Sequence, residues 1–256
     1  MIAPRTSAAV VSLALFVAIW TPAVGDQVYL VKGSDSFTIG ERDLRSEITY
    51  SGRQILTEIR HGKATRFVAS VHYTRSDQGA RATASGTFEA TLTPTGEQRD
   101  EVDRDPDYLT VLNQPFSVKL DQGTLAEVAR LHGPVPFDFP APIIGATLHG
   151  SLRHTSDGLV DGERALGVAF EATGPMRGPL PDHPAMILNG RIKMVGTAYY
   201  QYRGALLLAL DATLMITGNV VNDGRSDPVR ITYRRSIKAD TPLQQVKTAA
   251  TPVKPR

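Results

Sequence analysis

The chain has 256 residues, no cysteine, one tryptophan, 21% charged residues and a formal net charge of +2. Without cysteine there is no disulfide, thiolate zinc site, iron–sulfur cluster or thiol nucleophile. The near-zero charge gives no electrostatic basis for nucleic acid as the main partner, while 41% hydrophobic residues suffice for a packed core.

The first 25 residues have the layout of a cleavable secretory signal. Arg5 precedes Ala8–Trp20, a run in which only Ser12 is polar, and Pro22 and Ala23-Val24-Gly25 follow. That run is shorter than the roughly 20 residues a bilayer-spanning helix needs. Removing 25 residues from 256 leaves 231, and the loss of Arg5 takes the net charge from +2 to +1. No transmembrane segment is then expected. The absence of cysteine and of Asn-x-Ser/Thr, with 21 arginines against 7 lysines, favours a bacterial periplasmic or secreted protein.

Along the expected mature chain the dominant period is 2, the signature of strands. Early strands are expected at Gln27–Lys32, Ser36–Ile39, Glu47–Tyr50, Gln54–Arg60 and Arg66–Arg75, the last with Phe67, Ala69, Val71 and Tyr73 on one face. Ala82–Thr93, Tyr108–Leu112 and Phe116–Leu120 follow. Thr124-Leu-Ala-Glu127 has capping-box spacing and opens a short helix with Leu125, Val128 and Ala129 on one face, ended by Gly133-Pro134. Five of the ten residues 133–142 are Gly or Pro, which reads as a crossover between two β-rich halves or as a lid. The second half predicts strands at Ala146–His154, Ala165–Thr173, Ile187–Leu188, Ile192–Tyr202, Ala205–Thr217 and Val229–Lys238.

Ala205–Thr217 places Leu206, Leu208, Leu210, Ala212, Leu214 and Ile216 on one apolar face. Such a strand would span about 43 Å, a length that suits a twisting, curling sheet. The expected fold is therefore mainly β: a curved antiparallel sheet, an open or partly closed barrel, with one short helix. A β-sandwich of two similar halves, 26–122 and 146–239, is the alternative. Asp77-x-Gly79…Phe88-Glu-Ala-Thr91 resembles Asp161-Gly162…Phe170-Glu-Ala-Thr173, in keeping with related halves. The domain is expected to span 26–239, followed by a disordered tail, 240–256.

No strong catalytic motif is present: there is no G-x-S-x-G, S-x-x-K, H-E-x-x-H, Walker A or G-x-G-x-x-G. His149 and His154, five apart on a strand, would face opposite sides, the wrong geometry for shared metal ligation. Asp103, Asp105 and Asp107 imitate a calcium loop, but Tyr108 and Gln114 stand where an EF-hand needs Gly and Glu. The ligand-binding candidates are Arg235, Tyr200 and Tyr202. Arg235 falls on the inward face with Val229, Ile231, Tyr233 and Ile237, where it needs a carboxylate or an anionic ligand. Tyr200 and Tyr202 share a face before a turn at Arg203-Gly204, where they could contact a lipid or a sugar. Asp211 is expected to point outward.

These features predict a noncatalytic exported protein that binds or carries an apolar or amphipathic small molecule, such as a lipid, without cofactor, metal or nucleic acid. A structural or protein-interaction module of an envelope assembly is one alternative, and a hydrolase with a dispersed site, using His149 or His154, is the other.

Overall fold

The computed structural model describes residues 26–40, 46–93, 98–114, 118–139, 147–180, 183–222 and 224–240. The expected signal, 1–25, and nearly all of the expected tail lie outside these residues, as do part of the Pro-rich crossover and residues 116–117 of the expected strand Phe116–Leu120.

Eleven strands form one antiparallel sheet. They are β1 Gln27–Ile39, β2 Ser46–His61, β3 Ala64–Asp77, β4 Ala80–Leu92, β5 Gln98–Arg104, β6 Val135–Phe139, β7 Leu148–Val160, β8 Glu163–Leu180, β9 His183–Gln201, β10 Leu207–Asn222 and β11 Arg225–Ala239. Their spatial order is β5-β4-β3-β2-β1-β11-β10-β9-β8-β7-β6. Neighbours in sequence are mostly neighbours in space, joined by tight turns. Gln78–Gly79 and Asp161–Gly162 turn with both residues at positive φ, which matches the twist of a two-residue hairpin.

Two features break the simple meander. β1 and β11, the first and last strands, pair in mid-sheet, with Tyr29 opposite Ala239 and Ile39 opposite Val229. β5 and β6, adjacent in sequence, lie at opposite edges. The sheet is open, neither closed nor strongly curled, which corrects the partly closed barrel. A single ladder through all eleven strands likewise replaces the two-sheet sandwich.

The connection from β5 to β6, residues 105–134, crosses one face of this sheet. It holds a single 3-10 turn at Val111–Asn113 and the only helix among the described residues, α1, Gln122–Arg130. Gln54 of β2 accepts from the Val111 N–H at 2.6 Å, and Leu207 of β10 donates to the Val118 carbonyl at 2.9 Å. Leu109, Val111, Leu112, Val118, Leu120, Leu125 and Val128 along this strap are all buried. They join one core with the inward side chains of the sheet, among them Phe67, Phe88, Leu152, Phe170, Leu188 and Ile216. Complete burial of one such Leu or Val is worth about 1.5–3 kcal/mol.

Local details depart from the sequence reading. Asp121, not Thr124, caps α1: its carboxylate accepts from the Thr124 N–H at 2.9 Å, and Ala129 is exposed. Tyr108–Leu112, expected to be a strand, is irregular backbone that enters the 3-10 turn at Val111. On β10 the register slips between Leu207 and Ala209, so Leu207 and Leu208 are both buried and the alternation resumes at Leu210. Leu206 is consequently only half-buried; Leu214, on the inward face, is half-buried too, and Asp211 is exposed as expected. Phe88 and Phe170 of the two Phe-Glu-Ala-Thr segments are both buried.

Asp121→Ala is expected to cost about 1 kcal/mol through loss of the α1 cap. Urea unfolding of Asp121→Ala beside Thr124→Ala tests the assignment, because a dominant loss in Thr124→Ala would restore the capping-box reading.

Candidate functional site

The inward-facing cation that the alternation of β11 predicts is present, and it organises the most polar region of the interior. Arg235 and Asp35 have side chains each 5% exposed and meet as a two-pronged pair, Nη1 on Oδ1 and Nη2 on Oδ2, the latter at 3.3 Å. Nη1 also donates to the Arg234 carbonyl at 2.9 Å, and Nη2 to the Asp107 carbonyl of the strap at 3.1 Å. The guanidinium lies 5.4 Å from the Tyr50 ring centre and 5.7 Å from that of Tyr233. Gly33 sits between Tyr50 and Arg235 in register. A Cβ there would stand 3.0 Å from Nη1 and 3.1 Å from the Arg234 carbonyl, so glycine leaves the room the guanidinium occupies.

The strap supplies the second carboxylate. Asp107 accepts from the hydroxyls of Tyr50, at 3.2 Å, and Tyr73, and Arg75 approaches at 3.5 Å. Burial, then the charges of Asp35 and Asp107, pushes the Tyr50 phenol far up, and burial with the Asp107 hydrogen bond does the same to Tyr73. Both stay protonated and act as donors rather than bases.

Asp105, 2% exposed, folds its own segment. Its Oδ2 accepts from the Thr110 N–H at 2.7 Å and from Asn113 Nδ2 at 3.3 Å, while Asp103 accepts from the Asp105 N–H at 2.8 Å. Oδ1 lies against Gly86, where a Cβ would come within 2.6 Å. The three aspartates of the calcium-like run thus hold backbone, tyrosine and arginine. Among the described residues no group of three or more His, Asp or Glu is placed to hold a metal ion.

The three ligand-binding candidates are not brought together. Tyr200 is wholly buried, paired with Leu166 on β8 and Leu207 on β10. It lies near Tyr29, whose hydroxyl reaches Gln27 at 2.9 Å and the Leu207 carbonyl at 3.1 Å. Burial pushes both phenols up. Tyr202, 38% exposed, is in the turn beyond β9 under the Arg164 guanidinium, 5.5 Å from the ring centre. Its hydroxyl, and then His154, hold the Asp157 carboxyl below the usual range.

The histidines meet acids at the surface. His149 Nδ1 lies 2.7 Å from Asp138, and His154 Nε2 lies 2.9 Å from Asp157. Among the described residues neither ring is hydrogen-bonded to a serine. An open groove of about 440 Å³ lies along β2, β3 and β4, bordered by Ser51, His72, Thr74, Thr83 and Ser85. It brings one histidine and several hydroxyls together without an acid.

Sequence reading missed Asp35, Asp107, Tyr50, Tyr73 and Arg75. The clue was the alternation Val31, Gly33, Asp35, Phe37, which places an acid on an inward face. Splitting β1 around Gly33-Ser34-Asp35 hid it. No protein-family model matches the chain, and a search of curated proteins finds no match.

Asp35→Ala strands Arg235 in the interior and is expected to cost about 3–5 kcal/mol, whereas Asp35→Leu/Arg235→Met recovers most of the loss. Urea unfolding of both variants checks this, and equal losses would show that the pair does not act as a unit. A second test concerns Asp105, whose carboxyl burial raises above its ordinary 3.8. The folded state therefore binds this proton more tightly than the unfolded chain. This contribution grows as pH falls through the folded value and is complete below about 3.8. Asp105→Asn removes it, so the stability of the wild type relative to the variant should improve as pH falls. Unfolding curves recorded across acidic pH would reveal the opposite slope if the carboxyl were instead held ionised.

Proposed function

We propose that this chain is a noncatalytic binding module of the bacterial envelope that meets its partner through its surface. The observation that carries this reading is the Arg235–Asp35 pair. The one inward cation among the described residues of β11 is answered by the protein's own carboxylate and by a strap carbonyl, which leaves no call for an anionic headgroup. The strap's apolar side chains occupy the same interior, so apolar strand surface is covered by the chain itself. Catalysis is disfavoured on chemical grounds. The buried tyrosines are donors, and among the described residues the two histidine–acid pairs have no hydrogen bond to a serine.

Carriage of an amphipathic molecule is the competing reading. It rests on the strap being held to β2, β3 and β11 by side-chain contacts rather than by a ladder, so lifting residues 105–114 would open the interior.

The two readings separate in one measurement. The exported protein is purified without detergent, weighed by native mass spectrometry, and extracted with organic solvent. A bare-chain mass and an empty extract are expected. A stoichiometric lipid in both would overturn the surface-binding reading in favour of carriage.

A further inference from the structure

The outward face of the four central strands, β9, β10, β11 and β1, carries a group of exposed cations. Register places Arg191, Thr217, Arg230 and Thr38 in one row straight across these strands. Two rows along, Arg234 lies between Thr213 and Ser34, and in the next row Lys32 lies beside Ser236. Arg191, Arg230, Arg234 and Lys32 are exposed and make no ion pair among the described residues. Two more cations of this face are engaged at its margins, Lys193 with Glu171 at 3.4 Å and Lys238 with Asp161 at 2.9 Å. Asp211 is the acid on the outward face of these strands, opposite Ser236 in the row of Lys32, and Glu47 stands on β2 next to Ser36. The face therefore presents cations separated by hydroxyls. Arg191 and Arg230 are two strands apart, about 10 Å, and Arg230 and Arg234 about 13 Å apart along one strand.

We propose that this face binds a linear acidic polysaccharide. The inference rests on the surface-binding reading above and supplies its partner. Charge complementarity sets the sign of the ligand, and spacing sets its form. Cations about 10–13 Å apart suit an extended chain with anionic groups at intervals better than one compact anion. The serine and threonine hydroxyls between them match the hydroxyls of a sugar chain as donors and acceptors. A membrane surface fits less well, because the apolar side chains among the free cations, Val195 and Met215, are half-buried and the exposed Leu30 and Ile55 lie beyond Lys32. Single-stranded nucleic acid fits less well too, since the rows holding Arg191, Arg230, Arg234 and Lys32 offer no aromatic side chain on these four strands for base stacking.

The test uses the full exported chain and polygalacturonate as the probe, with neutral dextran as control, followed by titration calorimetry. Binding to polygalacturonate alone is expected, weakening steeply as salt rises from about 50 mM to about 500 mM. Arg191→Gln/Arg230→Gln/Arg234→Gln should lose at least about tenfold in affinity. Arg81→Gln, on the outward side of β4, should bind as the wild type does. Because all four arginines point into solvent, an unchanged thermal melt keeps the comparison interpretable. No binding, equal binding to dextran, or full affinity in the triple variant would overturn the proposal. So would tighter binding to phosphatidylglycerol vesicles or to oligothymidylate. An empty lipid extract beside a failed polygalacturonate titration would leave the surface-binding reading standing and remove only this partner.

Discussion

The constraint on which the rest of the structure depends is the pairing of β1 with β11 in mid-sheet. Once the first and last strands occupy the centre, the chain must run outward to one edge through β5 and resume at the opposite edge with β6. Ten inter-strand steps separate those edges, at most about 48 Å. Residues 105–134 include the nine residues of α1, which advance only about 14 Å. The other residues have ample reach at about 3.3 Å each. Connection over one face is thus affordable in length, and the same crossing puts a second apolar layer on the sheet.

A crossing strap creates a polar difficulty that the interior solves locally. A segment without ladder partners brings backbone donors and acceptors into a dry core, where each unmade hydrogen bond costs about 1–3 kcal/mol. The N–H of Val111 finds Gln54, the N–H of Thr110 finds Asp105, and the carbonyl of Asp107 finds Arg235. Arg235 can be buried only because Asp35 lies across the β1–β11 pairing to neutralise it. The buried ion pair and the strap are therefore one arrangement: the same guanidinium holds β11 to β1 and receives the crossing chain.

How legible this was depended on whether a feature is local. Alternation located the inward faces of β3 and β11 and the outward Asp211, because period 2 survives wherever one face is buried. It failed on β5, whose Gln-Arg-Asp-Glu-Val-Asp-Arg holds no apolar alternation, and on β6, where Pro136 argued against a strand. It split β1 and β2 at glycines that leave room for Arg235 and for Tyr73 rather than ending the strand. Tyr108–Leu112 is apolar enough for a strand, yet no neighbour offers it a ladder. The pairing of β1 with β11, and the meeting of Asp35 with Arg235 across 200 residues of chain, are non-local facts that no window of sequence contains. The candidate site was accordingly half visible: its arginine, but none of its partners.

The edges also bear on where a partner can dock. An open sheet invites addition of a foreign strand at each end, and here both ends are chemically guarded. β5 carries Arg99, Asp100, Glu101, Asp103 and Arg104, so an incoming apolar strand would have to desolvate charge along its length. β6 is only five residues long and contains Pro136, which removes a ladder donor, and Asp138, which is occupied by His149. The strap takes the inner face. What remains broad and continuous is the outward face of the central strands, where β1 and β11 meet. The pairing that forces the strap across one side of the sheet leaves its opposite side open at the point where the last strand is most basic.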